Sequence, residues 1–461
     1  MTVVDVLVAG AGAAGLAAAL AAAETGGEVV LIDASESYPN GSNTAMSTSM
    51  IPAGGSRWQQ ALGIGDSPER FQDDVRRKTK GSGDPAVTTA LTGVAPELVT
   101  WLHDHCGVPL ELVTDFDYPG HSRHRCHAVP DRSGRTLLKH LRAAATQADA
   151  ITFSSPFRLD GLLTDGDRVT GAVLATPDGS RDEVVTGNVV LATGGFGADP
   201  DLVRAHLPEI ASGMYHGADG SRGDALRIGE QLGADLACLD AYQGHGSVAI
   251  PHGVLLTWAT VMHGAVLLNG AGRRFGDETT GYSEFGAKVL AQPGQVGWMV
   301  FDRRIHDACL PFADFRDIVD SGAVRWADDD TAVAATTGAP LEPVAGSLAA
   351  VRAAATGQRR DRFGRTHWEA PLEPPYAVVK VTGALFHTQG GLAVDAHARV
   401  LRRGRPILGL YAAGGAAVGM SGRGADGYLA GNGLLGALGL GYLAGRHAGR
   451  SQAAELTELG R

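Results

Sequence analysis

Residues 3–9 form a nearly unbroken apolar run, and Gly10-Ala11-Gly12-Ala13-Ala14-Gly15 separates it from an Ala- and Leu-rich stretch that reaches Ala23. A short apolar run followed by glycines reads as a buried strand, and the longer stretch as a helix. A second apolar run over residues 28–32 predicts another strand, ending at Asp33. The alternation continues to about residue 238 and includes a strand over 184–192 that runs into Thr193-Gly194-Gly195-Phe196-Gly197. Between 239 and 375 the texture changes: strand-like pieces at 264–268 and 297–301 mix with an Ala-rich helical tract over 331–356. From Tyr376 strand and glycine turn return, and a Gly-rich helix follows Gly431-Asn432-Gly433, with the last ten residues expected as a solvated tail. The pattern predicts an α/β fold: a discontinuous Rossmann-like domain, 1–238 and 376–461, around an inserted α+β capping domain, 239–375.

The first strand, glycine turn and helix carry the G-x-G-x-x-G spacing in the context that gives it meaning. Gly10, Gly12 and Gly15 let the chain turn tightly, let the backbone approach a pyrophosphate and let the helix seat on the sheet, while the helix N-terminus faces the phosphates. Amides from Gly12 through Ala14 to Leu16 are the expected phosphate donors, and Asp33 stands where a carboxylate accepts from a ribose diol.

Composition narrows the partners. The chain has 461 residues, a net charge of -11 and no long basic run, which argues against nucleic acid as the main partner. Cys106, Cys126, Cys238 and Cys309 are scattered without a C-x-x-C pair, so a metal site is not expected, and reduced thiols in a cytoplasmic setting are. No secretory signal is read ahead of the first strand. The apolar stretch 428–445 is too rich in glycine for a membrane span and reads as a core helix. For Tyr118 and the His-rich run 121–127 two readings stand, the lining of a site entrance and a surface loop, of which the loop is favoured.

Further blocks carry a family resemblance: Gly41-Ser42-Asn43-Thr44, Ala192-Thr193-Gly194-Gly195-Phe196, Gly223-Asp224, the segment 269–278, and His387-Thr388-Gln389-Gly390-Gly391. Together with the fingerprint and the terminal helix they resemble the flavoprotein group of fumarate reductases, succinate dehydrogenase flavoprotein subunits, L-aspartate oxidase and 3-ketosteroid dehydrogenases. The resemblance implies FAD in the large domain, a cap over the flavin, and hydride exchange between a substrate carbon and flavin N5. It places Ser42, Asn43 and Thr44 near the diphosphate or flavin, adds Thr193, Gly194, Asp224 and Gly414 to the FAD contacts, and assigns amides of Asn432, Gly433, Leu434 and Leu435 to flavin N1 and O2. No histidine stands beside the Gly41 loop, where covalent members attach the cofactor, so non-covalent FAD is expected. The acid that many relatives use on the ribityl chain is replaced by Gly415, after Ala413-Gly414.

On the substrate side the chain departs from the reductases. The position of the proton-delivering arginine falls on Tyr282, a second substrate arginine on Tyr428 after a three-residue insertion, and a relay glutamate on Trp258, while His387 and His245 match. A phenol cannot replace a guanidinium's charge or fork, so a small dicarboxylate is disfavoured. A tyrosine in the proton-transfer place resembles the 3-ketosteroid dehydrogenases, which implies Tyr282 as acid/base and Tyr428 with His387 on a carbonyl. The expected reaction is α,β-dehydrogenation of a cyclic or steroid-like ketone, or the reverse enone reduction. Two alternatives stay open: an organic-acid reductase or oxidase with Arg423 as substitute clamp, and an FAD-binding protein without turnover. The sequence names neither substrate nor electron acceptor.

Overall fold

The computed structural model describes residues 2–115 and 118–459, with side chains to Arg450. Two compact units divide the chain: one comprises the chain up to Leu207, Gly217–Tyr242 and the chain from His387 on, and the other comprises Pro208–His216 and Gln243–Phe386. The second break lies inside the strand Tyr376–Thr388, later than the expected boundary at 375.

The first unit is built on a sheet of ten strands among the described residues. Its parallel centre runs Arg405–Ala412, Val189–Leu191, Val6–Ala9, Val29–Ile32 and Ile151–Ser154, with Leu7 opposite Val189 and Val30. Val6, Leu7 and Val8 are fully buried, as strands covered on both faces require. The apolar run expected as one strand over 3–9 is two, Thr2–Val3 and Val6–Ala9. The break comes at Asp5, whose carboxylate accepts from the Glu28 amide at 2.8 Å. The run over 184–192 likewise splits into Arg181–Val185 and Val189–Leu191. Between them Thr186 turns the chain, its hydroxyl donating to the Asn188 carbonyl at 3.1 Å.

The helix Ala13–Ala23 packs on the terminal helix Asn432–Leu459 through small residues. A Cβ added to Gly441 or Gly445 would stand 2.3 or 2.1 Å from the carbonyl oxygen of Ala14 or Ala18. The matched order of these contacts makes the two helices parallel. The backbone is helical through Leu459, so the expected tail is an extension of this helix, and its side chains beyond Arg450 lie outside those described. Among the described residues no helix is long and apolar enough to cross a membrane.

The second unit centres on a sheet in which Tyr376–Thr388 pairs antiparallel with Gly297–Asp302, which in turn pairs with Val266–Leu268. The Ala-rich tract is two helices, Asp330–Thr337 and Leu341–Ala355. Gly338, at φ +69°, ends the first, and Pro340 caps the second, the usual division of labour between these residues. Under the sheet lies a buried charge knot. Glu278, fully buried, accepts from Arg274 Nε at 2.9 Å, from Arg365 at 3.3 Å and from the Leu267 amide at 3.1 Å, and Arg274 also pairs with Asp361.

Gly445→Val should lower stability by about 2–3 kcal/mol, because the added carbons have no room between the two helices. Gly346→Ala, at an exposed helix position with no atom within 4 Å of the new carbon, should raise it by up to about 1 kcal/mol. Thermal unfolding of the two variants checks both; an unchanged midpoint for Gly445→Val would show that the helices do not approach as described.

Candidate active site

In the first unit, the glycine loop is held in shape by its own chain. Asp33 Oδ2 accepts from the Ala11 amide at 2.8 Å and Oδ1 from the Ser35 amide at 2.9 Å, while Tyr38 donates its hydroxyl to the Ala11 carbonyl at 3.0 Å. Thr44 Oγ1 accepts from the Ala13 amide at 2.9 Å. The first bond of the helix runs from Leu16 to Gly12, so the amides of Ala14 and Gly15 have no partner within it. Ser42 takes the Ala45 amide at 3.2 Å, and Asn43 ties the loop to the segment after Gly217, accepting from Ala218 at 2.8 Å and donating to Ser221 at 3.4 Å.

The Thr193-Gly194 turn is seated on this arrangement. Gly194, at φ +78°, leaves only 3.0 Å between a would-be Cβ and Ser221 Oγ. Thr193 Oγ1 is buried without a hydrogen-bond partner among the described residues. Gly414, at φ +64°, fits against Ala14 at the N-terminal ends of the two packed helices. Asp224 departs from its expected role: its carboxylate pairs with Arg158 at 2.6 Å and with Arg227. The block serves the turn through its backbone, Gly223 donating to the Gly195 carbonyl at 2.9 Å.

The terminal helix offers fewer amides than expected. Asn432 donates its amide to Leu429 at 3.1 Å and Leu435 donates to Gly431 at 2.9 Å. Gly433 and Leu434 remain. Asn432 instead contributes a buried Oδ1 that lacks a partner among the described residues, and its Nδ2 donates to Ser421 Oγ at 3.4 Å. Gly436 is buried, yet a Cβ on it would meet nothing within 4 Å beyond its own turn. Open amides, orphaned buried oxygens and room along this helix fit a large anionic, polar-edged cofactor.

His387 stands over the same turn. A Cβ on Gly433 would lie 2.8 Å from His387 Nε2 and 3.4 Å from the Tyr428 hydroxyl, and the two rings meet edge to face with centroids 5.8 Å apart. Burial pushes the His387 pKa down to about 4, opposed by the nearby Thr388 carbonyl, so the ring is neutral at pH 7. Gln389 lies behind it, with Nε2 3.0 Å from His387 Nδ1. Arg423 points elsewhere, its side chain 69% exposed and paired with Asp240 at 3.3 Å. The run 121–127 is a surface loop only in its first half, where Ser122 and Arg123 are exposed. Arg125 and His127 are buried, Arg125 lying between Asp66 at 2.9 Å and Asp74 at 2.6 Å.

In the second unit, Tyr282 opens the helix Tyr282–Leu290 after Gly281, whose φ of +146° favours glycine. Its ring stacks on His245 at 4.9 Å and 21°, and Trp258 and Phe386 each approach the imidazole, at 5.5 and 5.4 Å. Ser283 Oγ accepts from the Gly244 amide at 3.0 Å, fixing the helix start to the strand. Ser247 donates its hydroxyl to the Leu256 carbonyl at 2.7 Å and stands 3.0 Å from His245 Nδ1. With its own proton committed, Ser247 accepts from Nδ1–H and leaves His245 Nε2 as a lone pair. Burial, then the charge of His216, pushes the His245 pKa down to about 3. Phe386, His216, Ser247 and Ser421 belong to no motif read from the sequence, and Gln389 stands inside the 387–391 block without a role assigned to it; the i, i+2 spacing of His245 with Ser247 and of His387 with Gln389 is the one signal for those two pairs.

The FAD binding domain family matches residues 5–434. The chain belongs to this family. It is 29% identical over 454 residues to a protein named probable fumarate reductase Ifc3 of Shewanella frigidimarina, covering 97% of this chain and 75% of that one. The open conformation of a flavocytochrome c3 fumarate reductase superposes with a TM-score of 0.81 at 28% identity, over 98% of this chain and 79% of that one. A 3-ketosteroid-Δ4-(5α)-dehydrogenase of Rhodococcus jostii RHA1, in complex with 4-androstene-3,17-dione, superposes with a TM-score of 0.77 at 26% identity, over 97% of both chains. The protein is an FAD-dependent oxidoreductase of the fumarate reductase and ketosteroid dehydrogenase superfamily.

Buried histidines, His387 and His121 among them, make acid stability a readout of these environments. His245 and His127 have pKa values held at about 3 and about 4 by burial, below the 6.5 of an unfolded histidine. The unfolded chain therefore binds protons first: the stabilisation is complete above pH 6.5 and is lost as pH falls toward the folded values. Each histidine should contribute up to about 1.4 kcal/mol per pH unit across that window. Urea unfolding at pH 7.5, 6 and 5 measures the slope, and His245→Asn should flatten it by its share.

Proposed function

We propose that the protein oxidises a CH–CH group next to a carbonyl, desaturating a cyclic or steroid-like ketone, or reduces the corresponding enone. The observation that carries this reading is the aromatic, uncharged cluster of Tyr282, His245, Trp258 and Phe386, where a dicarboxylate enzyme needs cationic groups. The buried guanidiniums of the same unit, Arg274 and Arg365, are engaged by Glu278, and Arg423 is occupied by Asp240.

FAD, held non-covalently in this reading, supplies the hydride acceptor or donor. Tyr282 takes the proton from the carbon next to the carbonyl, or returns it in the reverse direction. The His387 imidazole, neutral and donating at Nε2, and the Tyr428 hydroxyl hydrogen-bond the carbonyl oxygen as it gains enolate charge; fixed donors of this kind stabilise such a transition state strongly. His245, accepting at Nε2, orients the proton-handling end of the cluster. For the cofactor, Gly12, Ala14 and Gly15 amides serve the pyrophosphate, Asp33 retains lone pairs for the ribose diol, and Gly433 and Leu434 amides serve the flavin's electron-rich edge.

The names of the relatives favour a second reading, an organic-acid reductase of the fumarate reductase type. Anaerobic mixing of the yellow protein with cyclic ketones, 3-ketosteroids and succinate separates the two. Ketones alone should bleach the flavin band. Bleaching by succinate alone, abolished in Arg423→Ala, would sink the ketone reading. Tyr282→Phe should lower kcat by on the order of 100-fold or more while the flavin absorbance per protein stays constant; full activity in that variant would reduce Tyr282 to a packing residue.

A further inference from the structure

We propose that Gln389 and Ser421 are positioning residues that hold His387 as its Nε2–H tautomer, so that the ring presents a fixed donor to an acceptor oxygen of the substrate. The chain of bonds has one direction. Asn432 Nδ2 donates to Ser421 Oγ at 3.4 Å, Ser421 donates its hydroxyl to Gln389 Oε1 at 2.9 Å, and Gln389 Nε2 stands 3.0 Å from His387 Nδ1. An amide nitrogen only donates, so Nδ1 accepts and the proton of the neutral ring sits on Nε2. The Thr388 carbonyl also lies near Nδ1, at the longer distance of 3.4 Å, and would demand the opposite tautomer.

Reversing the whole chain would turn both amides over. It would then leave an N–H of Asn432 buried where the structure now leaves only the Oδ1 lone pairs, and buried orphaned N–H groups are rarer than under-used carbonyl oxygens. Ser421, Gln389 and Asn432 are 1%, 6% and 1% exposed, so bulk solvent does not reach the groups that the alternative would orphan. A backbone bond from Gly419 to the Gln389 carbonyl at 2.8 Å, and another from Gln389 to Ala241 at 2.8 Å, pin the residue that carries the amide. Only the functional consequence rests on the reading of His387 as a carbonyl donor; the tautomer rests on these bonds. It also narrows the substrate: the oxygen facing Nε2 must accept, as a ketone oxygen does, and an N–H group at that place is rejected.

The test uses FAD-loaded protein with 15N-labelled histidine at pH 7.5 and long-range 1H–15N ring correlations, His387 being assigned from the spectrum lost in His387→Gln. Wild-type His387 should show a pyridine-like Nδ1 and a pyrrole-like Nε2. In Gln389→Glu the carboxylate accepts where the amide donated, so Nδ1 should become protonated, and kcat on the reactive ketone should fall on the order of 100-fold with KM changing far less. A pyrrole-like Nδ1 in the wild type overturns the proposal and leaves the ketone reading standing. An inverted tautomer with undiminished kcat overturns the donor role of His387 and, with it, the functional half of the proposal. Should Gln389→Glu fail to retain FAD, Ser421→Ala carries the test. Freed of its hydroxyl, the Gln389 amide turns over and His387 should show both tautomers; a single unchanged Nε2–H form excludes Ser421 from the role.

Discussion

The close parallel approach of the helices Ala13–Ala23 and Asn432–Leu459 is the constraint on which the cofactor unit depends. Two parallel helices place their positive N-terminal ends on the same side, an arrangement that is electrostatically unfavourable unless something negative lies there. Small residues allow it sterically: Gly441 and Gly445 bring one backbone to the carbonyls of Ala14 and Ala18. In the proposed placement, an FAD pyrophosphate at one helix end and a flavin edge that gathers charge on reduction at the other would answer the electrostatics. Gly414, wedged against Ala14, sets how near the two ends stand.

The second unit solves a different problem, that of building an apolar aromatic cluster on a framework that stays rigid. The Glu278 knot sits one helical turn of sequence before Tyr282, and a buried pair of this type costs about 3–5 kcal/mol when one partner is removed. Trp258 reports on both features, since its indole nitrogen donates to the Glu278 carbonyl at 3.3 Å while its ring packs on His245. The charge knot and the aromatic cluster are thus joined through one side chain.

Legibility followed the kind of information each feature uses. The strand, glycine loop, helix and acid at residues 6–33 were readable because their spacing is local, and so was FAD. Tyr282, His245 and His387, the residues proposed for the substrate side, were named through motif position. The pairing of Gln389 with Ser421 was not legible, although Gln389 stands in the 387–391 block, because it joins residues 32 apart through side-chain amide orientation, which leaves no periodicity. Asp224 and Leu435 were also named through motif position, and the structure gives each a partner within the protein. The motif placed each at a helix N-terminus, but Asp224 is claimed by Arg158 and Arg227, and the Leu435 amide is already inside the helix ladder. Strand ends failed where one polar residue, Asp5 or Thr186, captures a backbone group and stops an otherwise apolar run.

The bonds from Asp33 to Ala11 and from Thr44 to Ala13 have a bearing on assembly. A loop whose curvature is fixed by its own carboxylate and hydroxyl has already lost its conformational entropy before any ligand arrives, so the cofactor's binding energy is not spent on ordering it. The glycine loop is thus preformed by its own chain, and a cofactor seated on it in the proposed way would dock there without coupled folding of that loop.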